Sequence, residues 1–348
     1  MFYCFTVAER HRNFLRFFWF RNNDYDEPLI EYRMRKHVFG NSPSPAVANF
    51  GLRDVVKHAE EDVKEFVNYS FYVDDGLISC NDLESAISLM KRTKTALIQK
   101  ANINLHKIAS NSQMVLDAFP MEDKIKEVRD LNVNKDNVLL HRTLGVQWRL
   151  SDDMLTFDVN IEDKPYTKRG VLATINGVFD PLGFVAPIMI QARVLFRNMI
   201  TATSGWDEEL PVGYQRSWKS WKDGLNKLTM LSVPRAYPLN IDKPVRLYVL
   251  CDDSELAVAA VAYLMNKDDT TGQASFVFGK SKLALKAGHT IPRLELCAAV
   301  LATKITQVVC MEIDIPSSEV IYHSDSKVVL GYLNNTTRRF HTYVANRV

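Results

Sequence analysis

Two adjacent carboxylates, Asp74 and Asp75, sit between short apolar runs in the segment FYVDDGLISC (71–80). Acids this close repel, and the local sequence offers no basic neighbour. Divalent cations would resolve the conflict, because hard ions draw carboxylate oxygens together. The plainer reading is a solvated DDG hairpin turn in which Gly76 supplies a positive φ. Successive strand side chains point to opposite faces, so the two acids need not both face one site. Three further acids invite the same question. Asp252 ends the apolar run in LYVLCDDSELAVAAVAYL. Glu295 lies beside the stripe Leu294, Ala298, Leu301 and Ile305. Asp325 precedes a helix that starts near Lys327. Each alone reads as a turn residue, a solvated helix edge or a helix cap.

The elements that would position these acids can be read from periodicity and punctuation. Residues 13–21 and 28–40 read as strands, with Gly40 as a break, and 42–67 reads as one helix with Pro43 or Pro45 in its first turn. Residues 82–101 give the clearest helix: Leu83, Ala86, Ile87, Met90, Leu97 and Ala101 share a side, and Asn81 or Asp82 is its cap. Residues 141–160 read as a hairpin turning at Ser151-Asp152-Asp153. In the middle of the chain, 166–200 reads as two helices broken at Asp180-Pro181-Leu182-Gly183, and the proline-bearing 232–244 reads as a linker. After it come strand–turn–strand from Val245, a helix over 290–310 with Pro292 near its start, and a strand running into a helix over 319–335.

Length and composition bound the function classes. A chain of 348 residues has room for two or three domains, and 47% hydrophobic with 24% charged residues is ordinary for packed cores. A formal charge of +2 names no partner. Local clusters of cations (Lys91, Arg92, Lys94 and Lys100; Lys168 and Arg169; Arg338 and Arg339) are candidates for phosphate contact, or simply solvated helix faces. The five cysteines show no C-x-x-C pair, which argues against a zinc site or disulfide framework and for a reducing compartment, cytoplasmic or nuclear. The apolar runs fall short of the ~18–20 residues of a membrane span, so no membrane partner is expected.

The order of the segments narrows the reading. FYVDDGLIS resembles the Y-x-D-D hairpin of reverse transcriptases. VFGNSPSPAVANFGLR (38–53) is similar to the segment that precedes it there, and LGVQWRLSDDMLTF (144–157) resembles the hairpin that grips the primer end. TKRGVLATINGVFDPLGFVAPIMIQARVLF (167–196) makes the chain look like Pol polyproteins of BEL/Pao-type retrotransposons. The resemblance covers nearly the whole chain. It implies an α/β (α+β) architecture: a reverse transcriptase fingers/palm fragment over 1–160, a helical connection over 161–243 and a C-terminally truncated RNase H-like mixed sheet over 244–348. It further implies RNA, DNA and RNA–DNA hybrid as partners and Mg²⁺ as cofactor in two-metal sites. Asp74 and Asp75 would hold metal in the polymerase half, with Gly40, Ser44 and Pro45 at the nucleotide pocket. Asp252, Glu295 and Asp325 would be the metal-holding, catalytic acids of the RNase H half. Asp253 stands where relatives usually carry a small residue.

The same resemblance implies two more acids. One is a polymerase Asp just before the stretch similar to MFYCFTVAERHRNFLRFFWF, and the other is a final RNase H Asp after TYVANRV. Neither falls within residues 1–348. The expectation is a Pol fragment with little or no polymerase activity and weak or no RNase H activity by itself. The alternatives are a degenerate, non-catalytic nucleic-acid-binding relic and a reading frame that does not fold as written. Each tenfold loss of rate is ~1.4 kcal/mol of barrier, and a missing metal ligand removes several such factors. Primer extension by the isolated chain is therefore expected at background level; robust extension abolished by Asp74→Asn would contradict this.

Overall fold

The computed structural model describes residues 1–125, 140–143, 146–157, 163–240, 242–267, 273–285 and 290–348. They form two compact units, Met1–Met154 and Leu155–Val348.

In the first unit, β1 (Arg16–Phe20) and β2 (Leu29–Arg33) pair antiparallel. The segment read as one helix over 42–67 is two, α1 (Ser44–Val56) and α2 (Glu61–Tyr69), separated by a turn in which Ala59 N–H donates to Val56 O. The break lets Leu52 and Val56 of α1 meet Val63, Phe66 and Val67 of α2 in one buried cluster. The strands β3 (Phe71–Tyr72) and β4 (Asp75–Gly76) follow. Next comes α3 (Leu83–Ala101), capped by Asp82, whose carboxylate accepts the Ser85 N–H at 2.8 Å. Leu89 and Leu97 of α3 complete the core. A short α4 (Gln113–Asp117) and the antiparallel pair β5 (Leu140–Thr143) and β6 (Val146–Arg149) follow. The expected turn at Ser151-Asp152-Asp153 lies between β6 and β7 (Met154–Thr156), with Asp153 at φ 56. Residues 144–145 and 158–160 of that expected hairpin lie outside the described residues.

The second unit begins with α5 (Lys168–Gly177) and α6 (Ala186–Met199), divided as expected at the Asp180 turn. The Asp180 carboxylate explains the turn. Its oxygens accept the N–H groups of Gly183, Phe184 and Val185, all at 2.9 Å, where α6 starts. Burial nevertheless holds this carboxyl above its ordinary value, against the pull of those three bonds. α7 (Gln215–Leu225) packs Trp218 and Trp221 into the helical core with Val171, Met189 and Met199. β8 (Ser232–Pro234) comes next.

Then the chain builds a four-stranded sheet from β9 (Val245–Asp253), β10 (Ala257–Asn266), β11 (Ser275–Leu283) and β12 (Val320–His323), in the order β11-β10-β9-β12. The first three form an antiparallel meander, and β12 joins β9 in parallel. A parallel neighbour requires a crossover. It is supplied by α8 (Ile291–Ile313), ahead of α9 (Lys327–Leu333) and α10 (Thr342–Ala345).

α8 corrects one sequence expectation. Among the described residues it alone has the length and mean hydropathy (1.6) of a membrane span. Leu294, Ala298, Leu301, Ala302, Ile305 and Val309 are buried against Leu247, Val249, Val258, Ala260 and Ala262 of the sheet. Each buried Leu or Ile contributes about 1.5–3 kcal/mol, so this stripe accounts for the composition as a core helix.

α6 reaches the sheet at a glycine contact. Gly279 N–H donates to Leu182 O at 2.8 Å, and the Phe184 and Phe276 ring centroids lie 4.5 Å apart. Gly183 has φ +87, and a Cβ there would lie 1.9 Å from Gly279 O. An alanine would meet both left-handed backbone strain and a backbone clash. Gly183→Ala is expected to lower the unfolding free energy of the second unit by about 2 kcal/mol or more. An unchanged denaturation midpoint would refute the contact's role.

Candidate functional site

In the first unit the two acids occur at a two-residue turn. Tyr72 faces Asp75 and Phe71 faces Gly76 across the ladder, so Val73 and Asp74 form the tip. The turn is not made by Gly76, as the sequence suggested: Val73 takes the left-handed conformation, φ 58. A β-branched residue there is a genuine outlier, and strain of this type collects at functional sites. Gly76 is needed for another reason, because a Cβ would lie 2.6 Å from the Phe71 ring across the ladder. Phe71 in turn packs on Phe66, centroids 5.0 Å apart, which seats the turn on the core. Asp74 and Asp75 are exposed and line a cavity of about 240 Å³ with Phe71, Leu77, Met90 and Trp148.

Gly40, Ser44 and Pro45 are not among the residues lining that cavity. The Ser44 hydroxyl is buried and donates to Val38 O at 2.7 Å, while His37 contacts Ser44 O. Pro45 lies in the first turn of α1, and Gly40 has φ +93 with open space at its Cβ position.

The second unit gathers its acids more closely. Alternation along β9 sends Leu247, Val249 and Cys251 into the core that α8 covers, and Asp253 follows them on that face. There its carboxyl hydrogen-bonds Glu295 in the second turn of α8, an arrangement that needs one of the two to be protonated. Burial and the charges of Glu295, Asp252 and Asp325 push the Asp253 carboxyl up to about 7. Asp252 points to the other face. With Leu250, Ala259, Val261, His323 and Asp325 it lines a cavity of about 860 Å³. Asp325 is not a helix cap: Ser326 does that work, accepting the Val329 N–H at 3.1 Å. Glu295 is half-buried rather than a solvated edge.

The sheet thus brings Asp252, Glu295 and Asp325 to one edge, and adds Asp253. The sequence held a usable signal for that addition, since Asp253 shares the parity of the buried Leu247 and Val249. All-oxygen donors suit a hard divalent cation, and mutually repelling carboxyls are the charge arrangement such an ion relieves. Among the described residues, no group of three or more His, Cys, Asp or Glu side chains is already arranged to hold a metal ion. A cation would have to draw Asp252, Glu295 and Asp325 inward, against the Asp253–Glu295 bond.

The cations named from the sequence divide into two groups. Arg92 pairs with Glu60 and Asp62, Lys94 with Asp123, and Arg169 with Asp207. Lys168 is buried and donates to Thr203 O. Arg338 and Arg339 are exposed.

The chain thus combines a mixed sheet in the order β11-β10-β9-β12 and its crossover helix with, earlier in the sequence, helices and a helix-seated acidic turn. Residues 167–326 match the family described as Pao retrotransposon-like RNaseH-like domain, a span that contains Asp252, Glu295 and Asp325. Among solved structures, the foamy viral protease-reverse transcriptase in complex with double-stranded DNA matches with a TM-score of 0.54 at 11% identity, over 95% of this chain and 59% of that one. The dRH form of that viral protein, also in complex with double-stranded DNA, matches with a TM-score of 0.52 at 12% identity, over 95% of this chain and 53% of that one. The chain therefore spans little more than half the length of either, and the likeness at this identity is one of fold. No curated protein matches the sequence. The expected resemblance to retrotransposon Pol proteins and the expected mixed α/β fold are both borne out. Polymerases and nucleases of these classes work with divalent metal ions.

Because the folded Asp253 carboxyl titrates above an ordinary one, the unfolded chain loses that proton first as the pH rises. Its contribution to stability is full below about pH 4 and is lost as the pH rises through about 7. In chelator-containing buffer, Asp253→Asn should gain stability relative to the unsubstituted chain between about pH 5 and pH 8, read from thermal melts. A constant difference across that range would contradict the assignment.

Proposed function

We propose that this chain is a piece of a retrotransposon Pol protein, by descent an RNA-directed DNA polymerase with RNase H. The observation that carries the reading is the gathering of Asp252, Asp253, Glu295 and Asp325 at one sheet edge, where the electrostatics of three acids act on the fourth. Uncompensated carboxyls are unfavourable in a purely structural role, whereas hydrolysis of a phosphodiester with divalent cations requires them. Asp252, Glu295 and Asp325 are the residues that would hold Mg²⁺, which would activate water and stabilise charge on the phosphate. The protein's own part is to fix those oxygens on a rigid strand end and helix turn. Asp74 and Asp75 have the corresponding role in the polymerase half, where the left-handed Val73 holds the turn. Two features support nucleic acid as the partner: both solved neighbours are complexes with double-stranded DNA, and Lys327, Arg338 and Arg339 of the second unit are exposed without an ion pair among the described residues. Five free cysteines agree with a reducing, intracellular compartment.

A second reading is a non-catalytic nucleic-acid binder. It is favoured by the Asp253–Glu295 hydrogen bond, which occupies a carboxyl that the metal would need.

Cleavage of a labelled RNA–DNA hybrid in Mg²⁺ separates the two. The catalytic reading expects hybrid-specific RNA cleavage, even if slow, that falls about 100-fold or more in Glu295→Gln and Asp325→Asn. Salt-dependent hybrid binding with no cleavage would establish the binder, and absence of both would overturn the Pol reading.

A further inference from the structure

We propose that the outer face of the sheet holds a small-molecule site for an amphiphilic organic cation, a flat apolar body that carries an ammonium group. The inference goes beyond the Pol reading and stands whether or not the chain cleaves nucleic acid. The site is the cavity of about 860 Å³ that Asp252 and Asp325 line. Its size falls within the ~300–1,000 Å³ of small-molecule pockets. A peptide helix, about 10–12 Å across, would fill it within about two turns, too short a contact for a stable interface.

The cavity exists because α6 is pinned to the edge strand β11. The Ser281 hydroxyl donates to Ala186 O at 3.4 Å, and Arg193 donates to Ser281 O at 3.4 Å. Arg197 donates to Ala284 O, just past β11, at 2.8 Å. Further into the sheet, β10 buries Val258, Ala260 and Ala262 under α8, so alternation turns Ala257, Ala259 and Val261 to the outer face. These side chains are short, and they leave a trough beside the helix. Ala259 is exposed, and so is Leu250 of β9, which pairs with Val261. Phe184 and Ile190 line the trough from the helix side. Tyr263 and Phe276 line it from the sheet, packed edge to face with centroids 5.9 Å apart. Apolar surface left open to water in this way gains free energy when an apolar body covers it.

One end of the trough is acidic. Asp252 pairs with Ala259 in the ladder, and Asp325 follows the end of β12; both line the cavity. Both are exposed, and neither is in an ion pair among the described residues. Lys280 lines the cavity from β11, at the opposite edge of the sheet from β12. The His323 ring is stacked on Tyr248, centroids 6.0 Å apart. Charge along the trough therefore runs from positive at the β11 edge to negative at Asp252 and Asp325. An ammonium at the acidic end would make charge-assisted hydrogen bonds to carboxylates, while its body lay on Leu250, Ala259 and Val261. A carboxylate of the same shape would meet like charge there. A bound ammonium would also compete with Mg²⁺ for the carboxyls that the Pol reading assigns to the metal.

The test titrates the full chain, in chelator, with naphthylmethylamine and follows the heat of binding. A dissociation constant of about 0.1–1 mM is expected for a ligand of this size. Naphthoate, which reverses the charge, and putrescine, which lacks the ring, should each bind about 10-fold more weakly or worse. Asp252→Asn/Asp325→Asn should reduce the affinity for the amine to that for neutral naphthylmethanol. Ala259→Phe puts a ring into the cavity from an exposed position and should weaken binding about 10-fold or more. Failure of the amine to bind at about 5 mM would overturn the site. Equal affinity for naphthoate would remove the charge argument, and equal affinity for putrescine would leave the acids alone as the binding feature; either overturns it. So would unchanged binding in Ala259→Phe. Should that variant not fold, Leu250→Ser, also at an exposed position, decides the matter: about 3-fold weaker binding supports the site, and unchanged binding overturns it.

Discussion

Carboxyl groups repel one another, and the second unit is arranged so that four of them cannot escape. Asp252 and Asp253 are fixed by their pairing with Ala259 and Val258 of β10, at the end of a strand that is central in the sheet. Glu295 is fixed by α8, whose apolar stripe is buried in the main core of the unit. Asp325 is fixed between β12 and a helix that Ser326 starts. The sheet–helix core supplies the free energy that holds these acids together, and a shared proton between Asp253 and Glu295 relieves part of their repulsion. Burial first, and the neighbouring acids after it, raise the Asp253 carboxyl.

The first unit meets the same constraint differently. Its acids are on a turn of two-residue strands, where little regular hydrogen bonding is available. Position there depends on side-chain packing: Phe71 against Phe66 from below and against Gly76 from across the ladder. The strained Val73 backbone is tolerated because those contacts leave the turn few alternatives. One site is thus held by a sheet and a long helix, the other by an aromatic contact and a distorted backbone.

The basic residues of the chain are unevenly matched by acids. Many basic residues that look suited to phosphate have internal partners, and Lys168 is buried as a donor to a backbone carbonyl. Sequence clusters of Lys and Arg count charges without showing which are already matched. The segment after Asp325 differs because it contains no acid with which its cations could pair.

Much of this protein was legible in its sequence. Local patterns were enough for α3 with its Asp82 cap, for the break before α6, for the acid-bearing ends of β9 and β12, and for the family resemblance. Those features depend on residues close together in the chain. Three others did not follow from local pattern. The helix over 42–67 is split because Phe66 and Val67 must turn back onto Leu52 and Val56, a demand of packing that helical periodicity does not express. The glycine at 76 serves a cross-strand ring rather than a positive φ, which requires knowing the register. Asp253, not Asp252, meets Glu295, because the face of β9 that α8 covers is set by the tertiary core. Sequence determined which residues could carry charge and where strands and helices would begin. Tertiary structure decided which charges meet, because electrostatic neighbours are fixed by the faces that packing brings together.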